Sequence, residues 1–96
     1  MALKALRLRK KIELKTTELN SLREKDKDFE TREAELTRSI EEADTEEDQA
    51  LVDDEIEKFT REKEEHEEAE KNLEDEIREL EQELEEVEKI LKEEME

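Results

Sequence analysis

Residues 40–49 read IEEADTEEDQ, and this acidic stretch separates two helical segments whose heptad repeats do not share a frame. Apolar residues recur at heptad positions a and d up to Ile40, but the next a position falls nine residues later. That spacing is one heptad plus two residues, an insertion that a continuous supercoil absorbs badly. Asp44 and Thr45 are favourable helix N-caps, and acidic residues follow them. We therefore predict that one helix stops near Ala43 and that the next restarts near Thr45.

The composition leaves few classes of structure open. Of the 96 residues 56% are charged and 30% hydrophobic, with no Gly, Pro or Cys, which excludes a layered globular core and a disulfide framework. Sustained heptads favour a coiled coil over disorder. We predict one all-α coiled-coil domain over 1–96, with a helix over 2–43, a turn at about 44–48 and a helix over 45–95. The alternative is one continuous helix of roughly 140 Å.

An antiparallel register follows if the chain folds back near residue 46. Positions a and d then meet in layers whose residue numbers sum to 92. The layers at the ends are apolar, among them Ala5 with Val87 and Leu8 with Leu84. The middle layers are mixed, where Asp26 faces His66, Phe29 faces Lys63 and Glu33 faces Phe59. The sequence thus predicts an antiparallel helical hairpin that associates into a larger bundle. The same register serves a helix from a neighbouring chain, so exchanged helices remain open. The predicted self-association seam consists of Leu8, Ile12, Leu19, Leu22, Phe29, Leu36, Ile40, Val52, Ile56, Phe59, Leu73, Ile77, Leu80, Leu84 and Val87.

Charge divides the chain unevenly. Positions 1–24 hold seven Lys/Arg and three Glu, a local charge of +4, whereas positions 25–96 carry −22. Like charges disfavour pairing of the second segment with itself, so the sign of the flanking residues selects the first segment as its partner. The predicted pairing charges are Arg9, Lys11, Arg23, Glu67, Glu74, Glu81 and Glu83.

The sequence offers few residues that could form a catalytic, metal-binding or nucleic-acid-binding site. His66 is the one histidine and lies among carboxylates, which makes a weak zinc site. A thin helical rod has no concave pocket for acid–base catalysis, and the basic residues 4–11 have no aromatic for stacking on a base. We predict no catalytic, cofactor-binding or metal site, no binding of nucleic acid or membrane, and neither a signal peptide nor a transmembrane segment.

Several short strings resemble one known family. They are Met-Ala-Leu-Lys-Ala-Leu at 1–6, Arg9-Lys10-Lys11, Leu22-Arg23, Asp28-Phe29-Glu30-Thr31-Arg32-Glu33-Ala34-Glu35-Leu36, Thr45-Glu46-Glu47-Asp48-Gln49, Glu57-Lys58-Phe59 and Glu62-Lys63-Glu64-Glu65-His66-Glu67. These strings lie within residues 1–67, and the resemblance covers essentially the whole chain. In this order they resemble the N-terminus of major capsid protein precursors of Hong Kong 97-type tailed phages.

The resemblance implies a scaffolding segment, the delta domain. In that family it precedes the capsid shell domain, lies inside the procapsid in the cytoplasm of the bacterial host, and guides coat subunits into capsomers before a maturation protease removes it. The implied partners are other copies of the chain, the shell domain, the protease and, as a further candidate, the portal. The implied protease site lies near or beyond Glu96. The implied assembly positions are Leu8, Leu19, Leu22, Phe29, Phe59, Leu73 and Leu80.

A helical-hairpin binding arm of a larger protein is the alternative function. An arm that presents RNA would carry surplus basic residues on its outer face, where this chain carries Glu. An arm that grips a client as a chaperone does would expose apolar residues at its tip, where this chain has Asp44-Thr45-Glu46-Glu47-Asp48.

Overall fold

The structure, a computed structural model, describes residues 1–95, the side chain of Met95 excepted. Helix α1 spans Ala2–Glu24, α2 spans Asp26–Glu42 and α3 spans Glu46–Met95. None of these described residues forms a strand. The predicted all-α antiparallel helical hairpin is confirmed, with α1 and α2 in one arm and α3 in the other.

The turn between α2 and α3 occupies residues 43–45. Ala43 leaves the helical region with φ −78° and ψ 94°, and the side chain of Gln49 donates a hydrogen bond of 3.3 Å to its carbonyl oxygen. The Oγ1 atom of Thr45 accepts a 3.1 Å hydrogen bond from the backbone N–H of Asp48, so Thr45 caps α3. The predicted stop and restart are confirmed, the turn is shorter than the predicted 44–48, and the continuous-helix alternative is wrong.

A second interruption falls at Lys25, inside the helix that the heptads predict over 2–43. Its N–H donates to the carbonyl of Leu22 at 3.0 Å, an i to i−3 bond, whereas the N–H of Phe29 returns to the carbonyl of Lys25 in the α-helical pattern. Lys25 itself keeps helical angles, φ −74° and ψ −15°. The first arm therefore consists of two helices separated by one tightened turn.

The chain packs as two compact units. The first consists of Met1–Ser21 and the part of α3 from Glu70 onward, and the second runs from Leu22 to Ala69. In each unit two antiparallel helical segments share one apolar seam. Because a pair of helices buries only one stripe on each member, each unit has a narrow core and open flanks.

Candidate functional site

Small and aliphatic side chains form the buried part of the seam in the first unit. Ala5, Leu8 and Val87 are buried together, and Leu8 retains 4% exposure. The half-buried residues packed against them are Leu80, Leu84 and Leu91. Both layers that the register predicts at this end, Ala5 with Val87 and Leu8 with Leu84, thus lie in one cluster.

An aromatic cluster, made of Phe29, Phe59, His66 and Arg32, forms the seam of the second unit. The ring centroid of Phe29 lies 6.0 Å from that of Phe59 and 4.7 Å from that of His66. The guanidinium of Arg32 lies over both phenylalanines, 5.4 Å and 5.3 Å from their centroids. Cation–π contacts of this kind let a charged side chain cover a seam that has too few aliphatic residues.

Asp26 and His66 pair beside the aromatic cluster. His66 Nε2 lies 2.7 Å from Asp26 Oδ1, and the side chain of His66 is only 8% exposed. The register predicts this layer, and the geometry confirms it. An imidazole and a carboxylate are ligand types that zinc accepts, but here each supplies the hydrogen-bond partner of the other, which fixes the register of the two helices.

Ion pairs join the helices along both flanks. In the first unit they are Lys4–Glu83 at 3.5 Å, Arg9–Glu88 and Lys15–Glu76 at 3.0 Å. In the second they are Arg32–Glu62 at 2.7 Å and Lys63–Glu33 at 3.4 Å. Each joins a base and an acid on opposite helices. All are exposed or half-exposed, so each contributes at most about 1 kcal/mol to stability.

The seven predicted pairing charges differ in their exposure and in the contacts that they make. Arg9 and Glu83 take part in pairs between helices. The remaining predicted residues are Lys11, Arg23, Glu67 and Glu81, which are exposed, and Glu74, which is half-buried. The pairs of Arg9 and Glu83 thus join the basic flank of α1 to the acidic flank of α3.

Lys15 occupies a heptad d position, seven residues after Leu8, and is not among the predicted pairing charges. Its ammonium lies 3.0 Å from Glu76 and 3.9 Å from Glu18. The hydrogen bond to Glu76, followed by the negative charges of Glu76 and Glu18, raises the pKa of Lys15 above its ordinary 10.5. A polar residue at a d position with an acidic flank opposite it is the sequence signal for such a pair.

The predicted seam residues face the partner helix of their own chain. Leu8, Leu19, Phe59 and Val87 are buried. The half-buried members are Ile12, Leu22, Phe29, Leu36, Val52, Ile56, Leu73, Ile77, Leu80 and Leu84. Ile40 is the exception at 52% exposure, because it lies in the last turn of α2, where the seam ends. Self-association through this seam remains a prediction, and it would require an exchange of helices.

Contacts between helices and exposed charged flanks dominate the described residues. Among residues 1–94 no polar or charged residue is buried as a whole, although the side chain of His66 is only 8% exposed. Within the described part of the chain, no helix is both long enough and apolar enough to cross a membrane. The arrangement can therefore hold helices together in a defined register and present charged flanks.

Comparison with known proteins adds no relative. The chain matches no protein-family model, no curated protein and no solved structure.

Proposed function

We propose that the chain is a non-enzymatic scaffolding domain for capsid assembly, which self-associates through helical contacts and guides coat subunits into procapsids. The sequence resemblance to Hong Kong 97-type capsid precursors supplies the capsid context. The fold supports the role because an antiparallel hairpin with opposite charges on its two arms is suited to binding other helices.

The narrow core is the observation that carries the proposal. Its most buried residues are few: Ala5, Leu8, Leu19, Phe59 and Val87. A scaffold has to associate weakly enough to be removed later, and seams with half-buried aliphatic and polar layers favour weak association. Each exposed ion pair adds little, so contacts among such hairpins should be reversible.

The net charge of −22 over positions 25–96 supports a scaffold that is removed before DNA enters the procapsid. Packaged DNA carries about one negative charge per 1.7 Å of helix axis. A procapsid lined with this chain would therefore repel the incoming DNA, which gives a physical reason for removing it first. The protease site implied near or beyond Glu96 lies outside the described residues.

Assembly with a coat shell domain tests the proposal. Residues 1–96 are placed before a shell domain of the Hong Kong 97 type, and closed shells are counted by electron microscopy. We expect Leu8→Asp, which disrupts the buried seam, to reduce closed shells, whereas Leu6→Asp on the exposed face of α1 leaves the hairpin intact and serves as the control. Yields that stay equal to those of the unaltered chain, both with Leu8→Asp and when residues 1–96 are removed, would contradict a scaffolding role.

One observation favours the binding arm as a second candidate. Leu51 is 63% exposed and Ile40 is 52% exposed, both close to the turn. These side chains give the otherwise polar tip two apolar contacts that could grip a client protein. Suppression of aggregation of an unfolded client, lost in Leu51→Glu and retained in Leu6→Glu, would support this function over scaffolding.

A further inference from the structure

Helix α1 carries apolar residues outside its seam. Leu3, Leu6 and Leu14 are exposed, and Leu14 retains 58% exposure. Leu3 and Leu14 are eleven residues apart, just over three helical turns of about 3.6 residues, so they lie in line on one side of α1. Helix α1 thus presents a second apolar stripe that its own chain leaves uncovered.

A groove of about 560 Å³ on one flank of the first unit includes Leu14. Its apolar lining residues are Leu14 from α1 and Leu80 from α3. The α1 side adds Lys11, Lys15 and Glu18, and the α3 side adds Glu76, Glu79 and Glu83. One side of the groove therefore has a net charge of +1 and the other a charge of −3.

We propose that this groove is the docking surface for the same groove of a second copy of the chain, and that the two hairpins form a four-helix bundle. A groove with opposite charges on its two sides is complementary to itself when the second copy places its α3 side against the α1 side of the first. The apolar lining residues then form a core between the copies, which a two-helix unit cannot supply alone.

The charges select one of two symmetric arrangements. A two-fold axis parallel to the helices places α1 of each copy against α3 of the other, with basic residues facing acidic ones. An axis perpendicular to the helices places α1 against α1 and α3 against α3, with like charges facing each other. Like-charge contacts disfavour the second arrangement, so the four helices alternate in sign around the bundle.

The parallel axis also matches residues by level, because it leaves each residue at the same height along the helices. Leu14 of one copy then meets Leu80 of the other at the centre of the groove. Lys11 lies at the level of Glu83 of the second copy, and Lys15 at the level of Glu79. Glu18 faces Glu76 less favourably, but Lys15 already pairs with both carboxylates in its own chain.

This inference rests on the proposed self-association and specifies its surface. The first measurement is sedimentation equilibrium of the chain with its hairpin locked by an oxidised Leu8→Cys/Leu84→Cys bridge; the natural chain has no cysteine. The groove stays accessible in the locked chain, so the dimer persists if the groove is the interface. If the dimers disappear when the hairpin is locked, they form by exchange of helices. That result would overturn the groove as the interface, but it would still agree with the proposed self-association.

Matched leucine variants locate the interface in the locked chain. Leu14→Glu is expected to raise the dimer dissociation constant by about tenfold or more, because a leucine is lost from each of two symmetric contacts. Leu6→Glu, with a similar exposure of 62% on the same helix but outside the groove, is expected to change it less than about twofold. Equal effects of the two variants would overturn the proposal.

Charge reversal at Lys11 decides the symmetry. In the proposed arrangement Lys11→Glu places a carboxylate near Glu83 of the second copy and weakens the dimer. In the rival arrangement the same change relieves repulsion between two α1 helices and strengthens it, which would overturn the proposal. Circular dichroism checks that each variant keeps its helices. A chain that stays monomeric at about 100 µM would overturn both the groove and the proposed function.

Discussion

The Nε2 atom of His66 lies 2.7 Å from Oδ1 of Asp26, although 40 residues separate them along the chain. This pair crosses the seam of the second unit beside Phe29, where two aliphatic side chains would be expected in an ordinary coiled coil. A polar layer of this kind can fit only one register, because a shifted helix would leave the nearly buried imidazole without its partner.

Removing the carboxylate from this layer should destabilise the hairpin. We expect Asp26→Ala to lower the free energy of unfolding by about 1–2 kcal/mol, since the imidazole loses a hydrogen bond to a charged group. Urea unfolding followed by circular dichroism measures the change. Asp28→Ala is the control on the exposed face of the same helix, and an equal loss there would show that helix propensity, and not the seam pair, is responsible.

Leucine contacts should hold the first unit more strongly than its charges do. Leu8→Ala removes a buried side chain and should cost roughly 2–4 kcal/mol, whereas Arg9→Gln breaks the exposed pair with Glu88 and should cost less than about 1 kcal/mol. Urea unfolding of both variants makes the comparison. If Arg9→Gln cost as much as Leu8→Ala, ion pairs would be the main source of stability.

The cap at the turn offers a local test. Thr45→Ala removes the oxygen that accepts the N–H of Asp48 and should cost about 1 kcal/mol. Thr45→Ser keeps that oxygen and should retain most of the stability. Hydrogen exchange at the Asp48 amide reports the cap directly, and protection that is unchanged in Thr45→Ala would contradict its role.

Alkaline pH should weaken the contact between Lys15 and Glu76. Because folding raises the pKa of Lys15 above 10.5, the folded state binds the proton more tightly. Its contribution to stability is therefore complete below pH 10.5 and is lost as the pH rises through the higher folded-state pKa. The difference in urea midpoint between the natural chain and Glu76→Gln should be present at pH 9 and shrink above pH 10.5. A difference that persists to pH 12 would exclude this titration as its cause.

The heptad register predicts which residues of the two arms lie opposite each other. Its predictions are accurate where the side chains are short or rigid. The frame shift after Ile40 and the cap at Thr45 together place the turn, and the antiparallel register places Asp26 opposite His66. Both results follow from backbone periodicity, which a chain with no Gly or Pro keeps with few interruptions.

Other features depend on conformations that periodicity does not specify. The tightened turn at Lys25 requires no special residue, so nothing in the sequence distinguishes it from ordinary helix. Lys63 and Glu33 pair with each other although the register places each opposite a phenylalanine, because long side chains bend away from the seam. Leu14 lies outside the predicted seam, and it is exposed because a two-helix unit leaves one face of α1 without a partner.

The aromatic cluster has a spectroscopic consequence. The chain has one histidine and two phenylalanines, and the imidazole ring centre lies 4.7 Å from that of Phe29 in the closed hairpin. The ring current of Phe29 should therefore shift the imidazole proton resonances away from their positions in the unfolded chain. The chemical shifts of the imidazole protons in a one-dimensional spectrum therefore report whether the hairpin is closed, and no isotope label is required.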